Sequence, residues 1–129
     1  MTDIAALAAT LDDAAVRSSA IAQLSLDHPA LGVADAYRIA RAAIDRRLAR
    51  GERIVGMKMG FTSRAKMAQM GVDDLIWGWL TDAMMLADGG SAPAARFIHP
   101  RVEPELAVRL KAPLAGNVTA LEAWAAGEA

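Results

Sequence analysis

The chain has 129 residues, enough for one small domain, and its 54% hydrophobic and 22% charged residues suit a packed globular protein rather than a disordered one. A net charge of −1, from 14 basic and 15 acidic residues, and a supply of one Tyr and two Phe argue against a nucleic-acid surface. Such a surface needs a basic stripe and stacking aromatics. With no cysteine, disulfides and thiolate metal sites are excluded.

The opening "MTDIAALAATL" has no basic region ahead of its apolar residues, so it does not read as a signal peptide. No apolar run approaches the ~18 residues of a spanning helix. The expectation is a soluble, cytoplasmic protein without membrane or nucleic-acid partners. Residues 3–24 are rich in Ala and Leu and free of Gly and Pro, which predicts a helix with a break near Asp12–Asp13. "SLDHPALG" is punctuation, with Pro29 and Gly32 as breakers. A second helix is predicted over Val33–Arg50, with Tyr37, Ala40, Ile44 and Leu48 on one stripe. Arg46, Arg47 and Arg50 suit its C-terminal end, and Gly51 suits the C′ position.

"RIVGMKMGFTS" then alternates like a strand, with Val55, Met57, Met59 and Phe61 on one face and Ile54, Gly56, Lys58 and Gly60 on the other. "SRAKMAQMG" predicts a short helix with Ser63 as N-cap and Gly71 as stop. "GWLTDAMMLADGG" predicts a strand leading to a turn at Asp88–Gly89–Gly90. "RVEPELAVRL" predicts a further strand. "NVTALEAWAAGEA" opens a helix with a capping box from Thr119 to Glu122, whose Leu121 and Trp124 need a partner. Strands alternating with helices, but with few neighbours for either strand, predict the front part of a larger α/β or α+β domain.

Two stretches carry chemistry. In a strand, residues i and i+2 point the same way, so Glu103 and Glu105 of "HPRVEPELA" would share a face. Two carboxylates that close repel unless a cation lies between them or one is protonated. Oxygen donors select hard cations, so Mg²⁺ or Mn²⁺ is the natural partner. The other reading of the same spacing is the solvent face of an amphipathic strand. Lys58 is flanked on its face by Gly56 and Gly60, which leave room for a ligand or a backbone. Its other reading is an edge-strand lysine that blocks aggregation. "GMKMGFTS" lacks the Gly-Lys-Ser/Thr order of a Walker loop. His28 and His99 read as loop histidines, Met57, Met59, Met67 and Met70 as core filler, and Asp73, Asp74 and Asp82 as turn or cap residues.

Taken together, "IVGMKMGFTSRAKMAQMGVDD", "LTDAM", "DGG", "FIHPRVEPELAV" and "KAPLAG" resemble the hydratase/decarboxylase family of catechol meta-cleavage pathways, which has the fumarylacetoacetase-like fold. The resemblance covers residues 33–124 and leans to the 4-oxalocrotonate decarboxylase branch over the 2-keto-4-pentenoate hydratase branch. It implies an α+β fold in which residues 1–50 form an N-terminal helical region and residues 51–129 begin a β-rich catalytic domain, a mixed barrel or sheet that is incomplete here. Family members continue further and carry a third metal-binding glutamate on a later strand, so the chain reads as a truncated homologue.

By the same resemblance Glu103 and Glu105 match the family's metal ligands, for Mg²⁺ with Mn²⁺ as a substitute. Lys58 matches its active-site lysine, Asp82 an acidic position near the substrate, and Thr62 and Ser63 candidate substrate-binding positions. The implied substrate is a small 2-oxo dicarboxylate whose C1 carboxylate and C2 keto oxygen chelate the metal. Loss of CO₂ from its far end sends electrons through the alkene to the keto oxygen and yields 2-hydroxypenta-2,4-dienoate. A hydratase uses the same chelate to add water to such a diene. The implied partners are further copies of the chain or a full-length hydratase or decarboxylase. A non-catalytic interaction module is the competing reading.

Overall fold

The computed structural model describes residues 2–128 and has an α+β architecture made of two units, one up to His99 and one from Pro100 onward.

The first unit opens with helix α1, Ile4–Val16, whose N-cap Asp3 accepts a hydrogen bond from the Ala6 amide at 3.0 Å. This helix is shorter than predicted, and it does not break at Asp12–Asp13. Both aspartates stay helical because arginines of a later helix neutralise them, at 2.8 Å for Arg46 Nε on Asp12 and 2.7 Å for Arg46 Nη2 on Asp13. The helix stops instead at the polar run after Val16. Ser18 turns into the left-handed region at φ 49°, and the Ser19 amide reaches back to the Ala14 carbonyl at 3.0 Å. Serine hydroxyls compete with a helical backbone, which favours such ends. One short turn of helix, α2 at Leu24–Asp27, follows.

Helix α3 runs over Val33–Ala49 and ends as predicted at Gly51. Gly51 has φ +97°, and the Glu52 amide donates to the Arg47 carbonyl at 3.2 Å, which closes the last turn. The buried core lies between α1 and α3, where Leu7, Ala8 and Ile39 meet and Ile4, Leu24, Leu31, Ala42 and Ala43 pack around them. The predicted stripe included Ile44, which is buried, but missed Ile39, which is 2% exposed. A single apolar stripe is too simple a description because α3 serves two neighbours: α1 on one side and the hairpin described next on another.

Strand β1, Ile54–Gly60, pairs antiparallel with β2, Ile76–Thr81. Lys58 lies opposite Gly78, Met57 opposite Trp79 and Met59 opposite Trp77. A bulge between Ile54 and Gly56 leaves Val55 as the extra residue. Between the strands sits α4, Arg64–Met70, with the predicted Ser63 cap and a left-handed Gly71 at φ +66°. After β2 come a 3-10 turn at Asp82–Met84 and a tight turn in which the Gly90 amide donates to the Ala87 carbonyl at 2.8 Å.

In the second unit the structure departs from expectation. The predicted strand "RVEPELAVRL" does not form: residues 100–109 have no regular secondary structure, and Leu110 makes an isolated bridge to Gly127. Pro104 offers no amide to a ladder, two like charges flank it, and no strand of the described residues in this unit is there to pair with it. Val102 and Leu106, its apolar alternates, are fully exposed. Helix α5, Ala120–Ala125, forms with the predicted capping box: the Glu122 amide donates to Thr119 Oγ1 at 3.2 Å and the Thr119 amide to Glu122 Oε2 at 2.7 Å. Its Leu121 and Trp124 are 77% and 85% exposed. No helix among the described residues is long and apolar enough to cross a membrane.

Candidate functional site

The hairpin has two unlike faces because directly opposed residues of an antiparallel pair share a face. Met57, Met59, Trp77 and Trp79 make one of them. Helix α3 packs on it through Tyr37, which stacks on Trp77 at 4.8 Å between centroids, and through Arg41, which lies 5.3 Å over the Trp79 ring. Trp77 and Trp79 meet edge to face at 4.7 Å, and the Trp77 amide donates to Tyr37 Oη at 3.3 Å. The hairpin is thus pinned by its bulky face.

Lys58 stands on the other face, among Gly56 and Gly60 on its own strand and Gly78 across from it. The sequence reading included the first two glycines. It missed Gly78, whose contribution depends on register. A glycine inside "WGWL" is a signal for close backbone approach, but it does not say what lies opposite.

Downstream of Gly60, Phe61 takes a left-handed φ of 56° and turns the chain out of β1 toward Thr62 and Ser63. Both are exposed. Ser63 already accepts a hydrogen bond from the Lys66 amide at 3.1 Å, so its oxygen is committed to capping α4 while its proton can still be donated.

Asp82 is held firmly at the far end of the hairpin. Its Oδ1 accepts from the amides of Arg53 and Ala83, each at 3.0 Å, and its Oδ2 accepts from Arg53 Nε at 3.0 Å. The Arg53 amide, then its guanidinium, hold the Asp82 carboxyl below the usual carboxylate range. It is a fixed negative charge at neutral pH. It lies four residues beyond Gly78 along the exit of β2, roughly 13 Å of extended chain away from the Lys58 row, so the hairpin does not bring Lys58 and Asp82 together.

Glu103 and Glu105 belong to the second unit and sit on its exposed, irregular stretch. Pro104 fixes its own φ and biases Glu103 toward an extended conformation. Two hard-oxygen side chains separated by one stiff residue fit a Mg²⁺-type site, which commonly uses one or two protein carboxylates and fills its remaining positions with water and substrate. Among the described residues no group of three or more His, Cys, Asp or Glu is gathered to hold a metal. His28 and His99 are both exposed, and His99 has a left-handed φ of 47°.

A second polar cluster has no local signal in the sequence. Asp12, 4% exposed, receives Arg50 Nη1 at 2.6 Å, Arg50 Nη2 at 2.8 Å and Arg46 Nε at 2.8 Å. Glu52 in turn receives Arg47 Nε at 2.8 Å and the hydroxyl of the buried Thr81 at 2.5 Å. These bonds tie α1, α3 and the end of β2 together, and they explain the basic end of α3 more fully than the helix dipole does.

No family model matches the chain. It is 55% identical over 126 residues to a 4-oxalocrotonate decarboxylase of Pseudomonas sp, covering 98% of the chain and 49% of that protein. It is 37% identical over 119 residues to the 2-oxo-hept-4-ene-1,7-dioate hydratase of Escherichia coli, covering 92% of the chain and 45% of that protein. Among solved structures it is similar to the 4-oxalocrotonate decarboxylase of Pseudomonas putida G7 complexed with magnesium and adipate, with a TM-score of 0.85 and 42% identity. That match covers 91% of the chain and 45% of the neighbour. The same enzyme complexed with calcium and acetate gives the same TM-score. The chain spans about half the length of the curated relatives it matches.

Proposed function

The chain belongs to the hydratase/decarboxylase family of 4-oxalocrotonate decarboxylases and 2-keto-4-pentenoate hydratases, and from that premise we propose that it serves a metal-dependent carboxy-lyase of aromatic catabolism. The reaction is decarboxylation of 2-oxo-3-hexenedioate to 2-hydroxypenta-2,4-dienoate. The observation that carries this choice of branch is the 55% identity, over 98% of the chain, to a decarboxylase.

In this proposal Glu103 and Glu105 hold the divalent cation through hard oxygens, Mg²⁺ first and Mn²⁺ as a substitute. When bound, the cation supplies a Lewis acid for the negative charge that develops on the substrate's keto oxygen. Lys58 binds a substrate carboxylate, and the bare glycine face around it gives that carboxylate access. The Thr62 hydroxyl and the Ser63 proton donate to the substrate at the exit of β1. Asp82 acts as a positioning residue: anchored on Arg53 with a depressed pKa, it holds the hairpin ends and does not shuttle protons.

We place the protein in the cytoplasm, working as a homo-oligomer or with a full-length hydratase or decarboxylase. The exposed Val102, Leu106, Leu121 and Trp124 support such a partner.

Incubation with 2-oxo-3-hexenedioate and Mg²⁺ tests the reading through release of CO₂. Hydration of 2-hydroxypenta-2,4-dienoate without CO₂ release would move the protein to the hydratase branch. A folded protein that turns over neither substrate would sink both.

A further inference from the structure

Glycine inside a strand is destabilising relative to alanine, so it needs a reason. Three glycines surround Lys58 on its face, and the structure gives a steric reason for only one of them. A Cβ on Gly60 would meet Ile76 Cγ1 at 2.7 Å, because the Ile76 side chain lies across that glycine. A Cβ on Gly56 or Gly78 would meet nothing within 4 Å, and neither residue has a positive φ. Folding therefore asks for no glycine at positions 56 and 78.

These two positions are also the open part of the face. Gly78 lies directly opposite Lys58, where a side chain would stand about 5 Å from the lysine Cβ and cover its stem. Gly56 lies two residues before Lys58, on the same face. Ile76 and Leu80, the residues two away from Gly78 on β2, are apolar and share this face. The face therefore carries two bare backbone positions, at Gly56 and Gly78, next to apolar Ile76 and Leu80 and one lysine. Its shape and charge suit a thin, unbranched carbon chain that ends in a carboxylate.

We propose that Gly78, with Gly56 beside it, is a specificity-determining residue that keeps this floor bare so that a thin, unbranched dicarboxylate can lie against the backbone next to Lys58. This rests on the reading of Lys58 as a carboxylate-binding residue and adds the side of the pocket that the lysine alone does not define.

The test is calorimetric titration of the full chain with adipate in the presence of Mg²⁺, alongside thermal unfolding, for the wild type and for Gly78→Ala, Gly56→Ala and Gly60→Ala. Gly78→Ala is expected to weaken adipate binding at least tenfold while leaving the melting temperature unchanged or raised. Gly60→Ala is expected to lower the melting temperature, because its Cβ must displace Ile76. Should Gly78→Ala fold poorly, Gly56→Ala reads the same floor and carries the same expectation. Adipate binding by a folded Gly78→Ala or Gly56→Ala chain as tight as wild type overturns the inference and leaves the lysine reading intact. A wild-type chain that binds no adipate and turns over no 2-oxo-3-hexenedioate overturns both.

Discussion

Asp12 and Arg50, 38 residues apart in sequence, meet through two parallel hydrogen bonds of 2.6 and 2.8 Å between the carboxylate and the guanidinium. The Asp12 side chain is 1% exposed and that of Arg50 is 41% exposed, so a desolvated anion is held by a cation that keeps water on one side. That arrangement avoids most of the cost of a fully buried pair, while making the anion dependent on its partners.

Asp12→Ala should therefore destabilise the first unit by about 3 kcal/mol, toward the low end for a broken buried pair because both arginines can recover water. Urea denaturation with a constant m-value checks it. A loss below the level of a surface pair, roughly 0.5 kcal/mol, would show that the network is ornamental.

The same pair makes stability depend on pH. The Arg50 hydrogen bonds, which outweigh the opposing effect of burial, lower the Asp12 carboxyl to about 2. A depressed carboxylate stabilises fully above its ordinary range near pH ~4 and loses that contribution as pH falls toward the folded value. The loss should approach about 2 kcal/mol between roughly pH 5 and pH 2, a ceiling because the arginines are partly solvated. Comparing melts of wild type and Asp12→Asn across this window isolates it: the two curves should converge as the pH drops. A gap that stays constant from neutral pH to pH 2 assigns acid sensitivity to other carboxylates.

Asp82→Asn removes the charge but keeps the shape. The hairpin should survive, with weaker bonds to the Arg53 amide and guanidinium and a slightly lower melting temperature. Hydrogen exchange at the Arg53 and Ala83 amides should quicken, and the amides in the Lys58 row should be unaffected. Faster exchange throughout β1 would mean that this latch sets the stability of the whole hairpin.

Much of this fold is legible in the sequence because it is local. The caps at Ser63 and Thr119 and the stops at Gly51 and Gly71 follow from what single residues do to their neighbours' amides and dihedrals. What is not legible depends on partners far along the chain. Asp12 reads as a helix breaker until Arg46 and Arg50 are beside it. Gly78 reads as a weak point in a strand until the register sets it against Lys58. The residues around Glu103 alternate well enough to read as a strand, but alternation supplies only half of a ladder, and the described residues of that unit do not supply the other half. The metal reading of Glu103 and Glu105 likewise rests on motif resemblance, because spacing alone leaves the solvent-facing alternative open.

Mg²⁺ titration measures that reading on the chain itself. Binding should be weak, since Mg²⁺ dehydrates reluctantly and two glutamates leave most of its six positions to water. Glu103→Gln and Glu105→Gln should each abolish it. Binding unchanged in both variants would put the cation elsewhere in the chain.

Thr119→Ala should cost helix α5 about 1 kcal/mol, because it removes the acceptor for the Glu122 amide and the hydroxyl partner of the Glu122 carboxylate. Backbone chemical shifts over residues 120–125 would register the lost helicity directly.

The extra residue at Val55 works as a phase shift between two rulers. Counted inward from the Ile54–Thr81 pair with no bulge, Lys58 would fall opposite Trp77, and Gly78 opposite Met57. The lysine would then be crowded by an indole, and the bare position would lie beneath a methionine. One unpaired residue advances β1 by a single notch, so that the bulky side chains coincide with bulky ones and the lysine coincides with a glycine. The chemical character of each face is thus decided three residues away from Lys58, at a position that touches no ligand in the proposed site.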